Sequence, residues 1–355
     1  MNNDQPWTLL QGDAAEQMAK LDAGSVDLIV TDPPYFRVKN EPWDRAWNDR
    51  DAFLAWLGEV ADEWRRVLKP NGSLYCFASP QMAARVQVEV IAPRFDVLAE
   101  VVWVKDAGWH RKANRAAARN WHPQTERLVF AQQLFDDPSR AVDNDRARRE
   151  HALAAEVYAP LIDYLISERD RAGLTNRQID QHLGTVGMAK HYFCRSQWSL
   201  PTLEAYGKLR DLFNQQEPGD YLRREWDDLR REWDDLRREW DDLRREFEEL
   251  RRPFSLDDDA PHSTDVWTFP VIRGNSKHVC EKPVDLLRHV IRVSSRPGAV
   301  VLDSFAGSAS TGEAALLEGR HFIGIDADAG WVKKGQQRLA AVTSQSQQPT
   351  LWNAS

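Results

Sequence analysis

Val300-Val301-Leu302-Asp303-Ser304-Phe305-Ala306-Gly307-Ser308-Ala309-Ser310 is an apolar run that opens into a glycine-containing turn and then a helix. The next apolar run, Phe322-Ile323-Gly324-Ile325, ends on Asp326, 23 residues after Asp303. Doubly wound sheets bind ligands at the carboxyl ends of their strands. There a tight turn lets backbone come close, and an acid on the next strand accepts both hydroxyls of a ribose. On these residues alone a generic strand–turn–helix is the alternative.

Working outward, Ser25-Val26-Asp27-Leu28-Ile29-Val30 is a second short β-rich run, and it stops at Asp32-Pro33-Pro34-Tyr35. Phe53, Leu54, Leu57, Val60, Trp64 and Leu68 have helical spacing that ends at Lys69-Pro70-Asn71-Gly72. Further strands are predicted at 73–78, 97–105, 126–132 and 321–325, and helices at 81–91, 284–293, 311–318 and 329–341. Strands alternating with helices imply an α/β fold with a doubly wound, mostly parallel sheet. The alternation pauses between about 135 and 265, so one α/β domain is split by a helical insert. The expected organisation is 1–134 and 266–341 as the two parts of that domain, 135–265 as the insert, and a disordered tail at 342–355.

Composition narrows the class. The 355 residues are 42% hydrophobic and 29% charged. No apolar run reaches the roughly 18 residues of a membrane span, and the first residues lack the features of a signal peptide. Cys76, Cys194 and Cys280 lie far apart without CxxC spacing, which predicts a reduced, cytoplasmic chain with no metal site. The net charge of −8 has the wrong sign for a nucleic-acid partner. Locally, however, Lys105 to Arg127 carries six basic residues against two acids, and phosphate contact needs only local positive charge.

Asp32-Pro33-Pro34-Tyr35 looks like the catalytic tetrapeptide of amino-methyltransferases, and Asp303–Ser310 like their S-adenosylmethionine loop. Catalytic motif, insert and cofactor motif in that order resemble the β class of DNA amino-methyltransferases, a permuted arrangement. The resemblance covers about 1–135 and 265–341. It implies the seven-stranded methyltransferase sheet, a target-recognition insert, S-adenosylmethionine as cofactor and double-stranded DNA as partner. A restriction subunit, where one exists, would be another chain. Lys277-His278-Val279-Cys280-Glu281-Lys282-Pro283 looks like the family's His-Pro-Thr-Gln-Lys-Pro segment, which implies His278 near the donor and Lys282 beside its methionine carboxylate. Leu10-Gln11-Gly12-Asp13-Ala14 resembles the strand-end Gly-Asp element, implying Asp13 and Ala14 at the donor's adenine; Asp13 is equally a helix N-cap. The other implied donor contacts are Asp303, Phe305, Ala306, Gly307, Ser308, Ser310 and Asp326. Three departures stand out: Ser304 for proline, Ala309 for the second glycine, and Val279-Cys280 for Pro-Thr. Alanine at 309 disfavours positive φ.

An exocyclic amine is a poor nucleophile because its lone pair is delocalised into the ring. The Asp32 carboxylate and the Pro33 carbonyl can each accept one amino N–H and so localise that pair, with Pro33 and Pro34 fixing both acceptors. Tyr35 offers a face for stacking on a base extruded from the duplex, and Phe36 a second. Sequences of this type go mostly with adenine N6, so adenine is expected and cytosine N4 is the alternative. A non-catalytic DNA-binding regulator and a scaffold built on the heptad helix are the other readings. Intact Asp32, Pro33, Tyr35, Gly307 and Asp326 argue against both.

For DNA contact, Lys105, Arg111, Lys112, Asn114, Arg115 and Arg119 form a basic segment interleaved with aromatic and amide side chains, or else a solvated charged loop. Within the insert, Thr175–Gly184 followed by Val186–Arg195 resembles a helix-turn-helix with Lys190, His191 and Arg195 on the reading helix. A structural helical hairpin is the alternative. From Leu222 to Leu250 the unit Leu-Arg-Arg-Glu-Trp-Asp-Asp repeats, predicting a heptad helix over 221–252 about 45 Å long. Its apolar stripe needs cover, from a second copy in a homodimer or from the insert itself.

Overall fold

The computed structural model describes residues 5–38, 42–105, 119, 121, 123–134, 146–256, 263–272 and 281–346. The chain divides into two compact units, 1–136 with 252–355, and 137–251.

In the first unit the strands in chain order are β1 (Trp7–Gln11), β2 (Val26–Thr31), β3 (Leu68–Ala78), β4 (Phe95–Lys105), β5 (Thr125–Gln133), β6 (Val266–Phe269), β7 (Val300–Asp303) and β8 (His321–Asp326). They form one sheet in the order β1-β8-β7-β2-β3-β5-β4-β6, in which only β5 runs antiparallel to its neighbours. The expected seven strands are therefore eight among the described residues. The addition is β6, whose four residues pair in parallel with β4 at the sheet edge, Trp267 opposite Trp103. Its alternation is short, but every second residue, Trp267 and Phe269, is buried.

The helices in chain order are α1 (Ala14–Met18), α2 (Arg50–Val67), α3 (Ala83–Arg85, widening into a π turn over Val86–Ile91), α4 (Arg146–Val157), α5 (Ala159–Arg171), α6 (Asn176–Leu183), α7 (Met188–Tyr192), α8 (Leu203–Phe213), α9 (Trp226–Leu250), α10 (Val284–Ser294), α11 (Ser310–Leu317) and α12 (Ala329–Ser346). Alternation along the central strands divides the core. Ile29 and Leu302 face α2 through Phe53, Leu57 and Trp64. Leu28, Val30 and Val301 face α10 through Leu286, Leu287, Val290 and Ile291. A parallel strand buried on both faces must be apolar throughout, which is why these strands read as continuous runs. No helix among the described residues is long and apolar enough to cross a membrane.

Two boundaries differ from expectation. The predicted tail begins inside α12, which runs to Ser346, because Val342 extends the buried stripe of Leu339 and Thr343 accepts the indole N–H of Trp7 at 3.1 Å. In the second unit the heptad helix starts at Trp226 instead of 221. Leu222 has φ 51 in the left-handed region, and the Tyr206 hydroxyl donates to the carbonyls of Leu222 (3.3 Å) and Arg224 (2.8 Å), so those residues are held out of the helix. The stripe is covered within its own unit over most of its described length. Leu222 and Leu229 are buried with Leu161, Leu165, Leu209 and Phe213, and Trp226, Trp233 and Leu236 pack on that cluster.

Candidate active site

Parallel pairing of β2 with β7, Leu28 opposite Val301 and Ile29 opposite Leu302, places their carboxyl ends side by side. Residues about 270 positions apart are joined there. The Thr31 hydroxyl lies 3.2 Å from Asp303 Oδ1 and 3.0 Å from the Ser304 hydroxyl, and the Trp64 indole N–H donates to Ser304 Oγ at 2.9 Å. Asp303 accepts two more bonds, from Phe305 N (3.1 Å) and the Thr311 hydroxyl (2.7 Å). Burial nevertheless pushes its carboxyl up to about 7, with the nearby Asp32 adding to the rise.

The turn after β7 closes against β8. Ala306 N donates to Ile325 O and Gly307 N to Asp326 Oδ2, both at 2.8 Å, with Gly307 at φ 48. Ala309, at φ 57, adopts the left-handed conformation that its β-carbon disfavours. Arg338 from α12 braces the turn by donating to the Ser308 carbonyl and hydroxyl, each at 3.2 Å, and it pairs with Glu281 and Glu313.

The two corners open onto one cavity of about 760 Å³. Among its lining residues are Asp13, Ala14, Asp32, Pro33, Pro34, Tyr35, Lys282, Asp303, Phe305, Ala306, Gly307, Ser308, Ser310 and Asp326. Asp13 also caps α1, accepting from Ala15 N (2.9 Å) and Glu16 N (3.1 Å), so the capping expectation holds alongside its place in the cavity. Asp326 Oδ1 accepts from Asp328 N at 2.9 Å. With one backbone bond on each oxygen, the Asp326 carboxylate keeps lone pairs for further donors.

Lys282 does not stand apart as a carboxylate ligand. Its ammonium, on a side chain 6% exposed, pairs with Asp32 Oδ2 and lies 3.4 Å from Glu126 Oε2. Asp32 Oδ1 is buried and has no hydrogen-bond partner among the described residues. Burial raises the Asp32 carboxyl above its usual range against the pull of Lys282, and Glu126 adds to the rise. Tyr35 is held at three points. Its N–H donates to Asp44 Oδ1 (2.9 Å), its hydroxyl to Glu126 Oε2 (3.0 Å), and the Lys282 ammonium lies 5.2 Å from its ring centroid.

A family model described as DNA methylase, covering the N6 and N4 enzymes, matches residues 26–337. The chain belongs to that DNA methylase family. It is 27% identical over 338 residues to the DNA adenine methyltransferase YhdJ of Escherichia coli K12, covering 94% of this chain and 82% of that protein. Among solved structures, TTHA0409 of Thermus thermophilus, named a DNA modification methylase and complexed with S-adenosyl-L-methionine, aligns at 18% identity and TM-score 0.47 over 94% of this chain and 93% of its own. The cytosine-N4-specific PvuII DNA methyltransferase aligns at 11% and TM-score 0.48 over 96% and 92%.

As a DNA methylase of this family, the chain takes S-adenosylmethionine as its cofactor and DNA as its substrate. The cavity suits that group. Its volume lies in the range of small-molecule sites, and seven acidic side chains against one lysine line it among the described residues, favouring a cationic ligand.

The remaining expected residues lie elsewhere. His278, Arg111, Lys112, Asn114 and Arg115 are outside the described residues, and Arg119 is exposed. Lys105 is a correction. Its side chain is only 11% exposed and its ammonium sits 2.6 Å from Glu126 Oε1, because at the end of β4 it shares a sheet face with Trp103, the residue opposite Glu126. Phe36 is another. At φ 58 the chain swings away from the cavity, and the ring packs on Phe53 at 5.7 Å. In the second unit α6 carries a capping box of Thr175 with Gln178 and ends on a left-handed Gly184. The reading helix, however, shrinks to the five residues of α7. Lys190 is exposed on it, while His191 Nδ1 lies 3.0 Å from Gln197 O, and Arg195 falls beyond the helix in an ion pair with Asp163.

Sequence reasoning missed Trp64, Glu126, Glu281 and Arg338. A lone acid at the start of an apolar strand was the one available signal for Glu126. Nothing local marks the others.

Proposed function

We propose that this chain methylates an exocyclic amino nitrogen of a base turned out of duplex DNA, adenine N6 in preference to cytosine N4. The observation that carries the reading is the buried Asp32 Oδ1, without a hydrogen-bond partner among the described residues, in the cavity shared by the Pro-Pro corner and the glycine turn. A buried carboxylate oxygen without a donor costs free energy, and an amino N–H of the substrate would relieve it. The adenine preference draws support from the Asp-Pro-Pro-Tyr sequence and from the likeness to YhdJ.

When bound, S-adenosylmethionine supplies an electrophilic methyl group on a sulfonium. Asp303, Asp326, Phe305, Ala306, Gly307, Ser308, Ser310, Asp13 and Ala14 would hold it. Asp32 Oδ1 accepts one amino N–H and the Pro33 carbonyl the other, drawing both out of the base plane and localising the nitrogen lone pair. Pro33 and Pro34 limit backbone motion, so the acceptors need no reorganisation when the base arrives. Tyr35, tethered at its hydroxyl and its N–H, offers a fixed ring for stacking. For sequence reading we assign the 137–251 unit together with the 106–122 segment, with Arg119 and Lys190 as phosphate contacts. A second copy would meet the stripe of α9 beyond Leu236, at Trp240 and Leu243. The chain would act in the cytoplasm.

The test is Asp32→Ala, assayed for tritiated methyl transfer to mixed-sequence duplex DNA and for donor binding by calorimetry. Donor affinity should stay within about threefold while transfer drops by about 100- to 1,000-fold, the order lost with a preorganised polar contact to the reacting group. Undiminished transfer in that variant would refute the role of Asp32. Hydrolysis of the product DNA and chromatography of its bases separates N6-methyladenine from N4-methylcytosine.

A further inference from the structure

Glu126 and Lys105 lie behind the reacting corner and are not among the residues that line the cavity. Glu126, on β5, uses both carboxylate oxygens. Oε1 takes Lys105 at 2.6 Å, and Oε2 takes the Tyr35 hydroxyl at 3.0 Å with the Lys282 ammonium at 3.4 Å. Lys282 in turn pairs with Asp32 Oδ2 and lies between the rings of Tyr35 (5.2 Å) and Phe77 (4.9 Å). Two acids and two lysines thus alternate as Asp32, Lys282, Glu126, Lys105, with side chains between 6% and 18% exposed. Burying four charges is expensive, and well-packed apolar residues often do as well for stability. The set therefore calls for a reason beyond folding.

The geometry supplies one. An ammonium given wholly to Asp32 could engage both of its oxygens, so that neither would meet the base undivided. Shared with Glu126, it engages Oδ2 and leaves Oδ1 uncommitted. The same Glu126 oxygen anchors the Tyr35 hydroxyl, so one residue sets both the acceptor and the ring. We propose that Glu126, with Lys105 behind it, is a positioning residue of the methyl-transfer site, dividing Lys282 between two carboxylates so that Asp32 meets the base with one oxygen open. This rests on the reading of Asp32 as the amino acceptor.

The two residues carry opposite charge, which yields a signature that a merely structural role lacks. The titratable groups facing Asp32 are Lys282, Glu126, Tyr35, Asp303 and Cys76. Glu126→Gln removes a negative neighbour and frees Lys282 for Asp32, so the acid limb of the kcat–pH profile moves to lower pH. Lys105→Met leaves Lys282 as the one ammonium paired with Glu126 among the described residues and draws it from Asp32, so the limb moves to higher pH. In both, kcat falls by about 100-fold, the loss expected from a displacement on the order of 1 Å, while donor Kd and DNA KM change little. Steady-state kinetics of the two variants in the full chain from pH 5 to 9 decide the matter. Limbs that stay in place, or move in the same direction, overturn the proposal, as does wild-type kcat. Should Glu126→Gln fail to fold, the upward limb of Lys105→Met carries the test alone. Loss of transfer in Asp32→Ala beside a normal Glu126→Gln sinks this inference and leaves the Asp32 reading standing; transfer by Asp32→Ala removes both.

Discussion

Replacing Ser304 by alanine tests the joint that brings the two corners together. Ser304 and Trp64 are buried, at 1% and 0% exposure, and the indole N–H donates to the serine hydroxyl at 2.9 Å. Without that oxygen, Thr31 keeps Asp303 as a partner at 3.2 Å, whereas the Trp64 N–H is stranded among apolar side chains. A buried unsatisfied donor costs about 1–3 kcal/mol, so Ser304→Ala should destabilise the first unit by about 2 kcal/mol. For a domain of this size that is a fall of roughly 4–8 °C in Tm. Urea denaturation followed by tryptophan fluorescence measures the loss directly. Adding Trp64→Phe removes the stranded donor, so the double-mutant cycle should return a coupling of about 1–2 kcal/mol. A Ser304→Ala protein within about 0.5 kcal/mol of wild type, or a cycle with no coupling, would show that the joint does not depend on this bond.

Two further outcomes are expected. Asp303, raised to about 7 by burial, binds more protons folded than unfolded between pH 4 and 7, so its contribution to stability is present at low pH and lost as pH rises through that window. Urea midpoints at pH 5, 6 and 7 should fall more steeply in wild type than in Asp303→Asn; parallel slopes would contradict the assignment. On α9, Leu229→Ala should cost about 2–4 kcal/mol because the side chain is fully buried in its own unit, and half-buried Leu243→Ala less than about 1 kcal/mol. A larger loss at Leu243 would mean that the stripe is buried mainly elsewhere.

Much of the fold was legible because the central strands are buried on both faces and so read as unbroken apolar runs, while Asp32 and Asp326 mark where β2 and β8 end. The eighth strand escaped because four residues at a sheet edge carry only two buried side chains. Heptad spacing predicted α9 but not its start, which is set by the Tyr206 hydroxyl taking the Leu222 and Arg224 carbonyls, a contact across 16 and 18 residues. Lys105 was misassigned for a related reason. Composition counts a charge, but only the pairing of β4 with β5 shows that its partner is Glu126. The departure at Ser304 now has a physical role, since its hydroxyl satisfies Trp64. The one at Ala309 does not resolve so simply. A left-handed alanine costs about 1–2 kcal/mol, and its buried methyl, near the Gly335 backbone, recovers about 0.8.

The acidity of the cavity ties these observations together. Asp32 and Asp303 end neighbouring strands; burial raises both carboxyls, and the charge of Asp32 adds to the rise at Asp303. Asp303 accepts from three hydrogen-bond donors and Asp32 pairs with a lysine that it shares with Glu126, yet burial still raises both carboxyls. A ligand carrying positive charge relieves that repulsion on arrival. The preference for a cationic ligand then follows from one electrostatic arrangement. The separation of the two motifs by about 270 residues is immaterial to it, because β2 and β7 are neighbours in the sheet whatever path the chain takes between them.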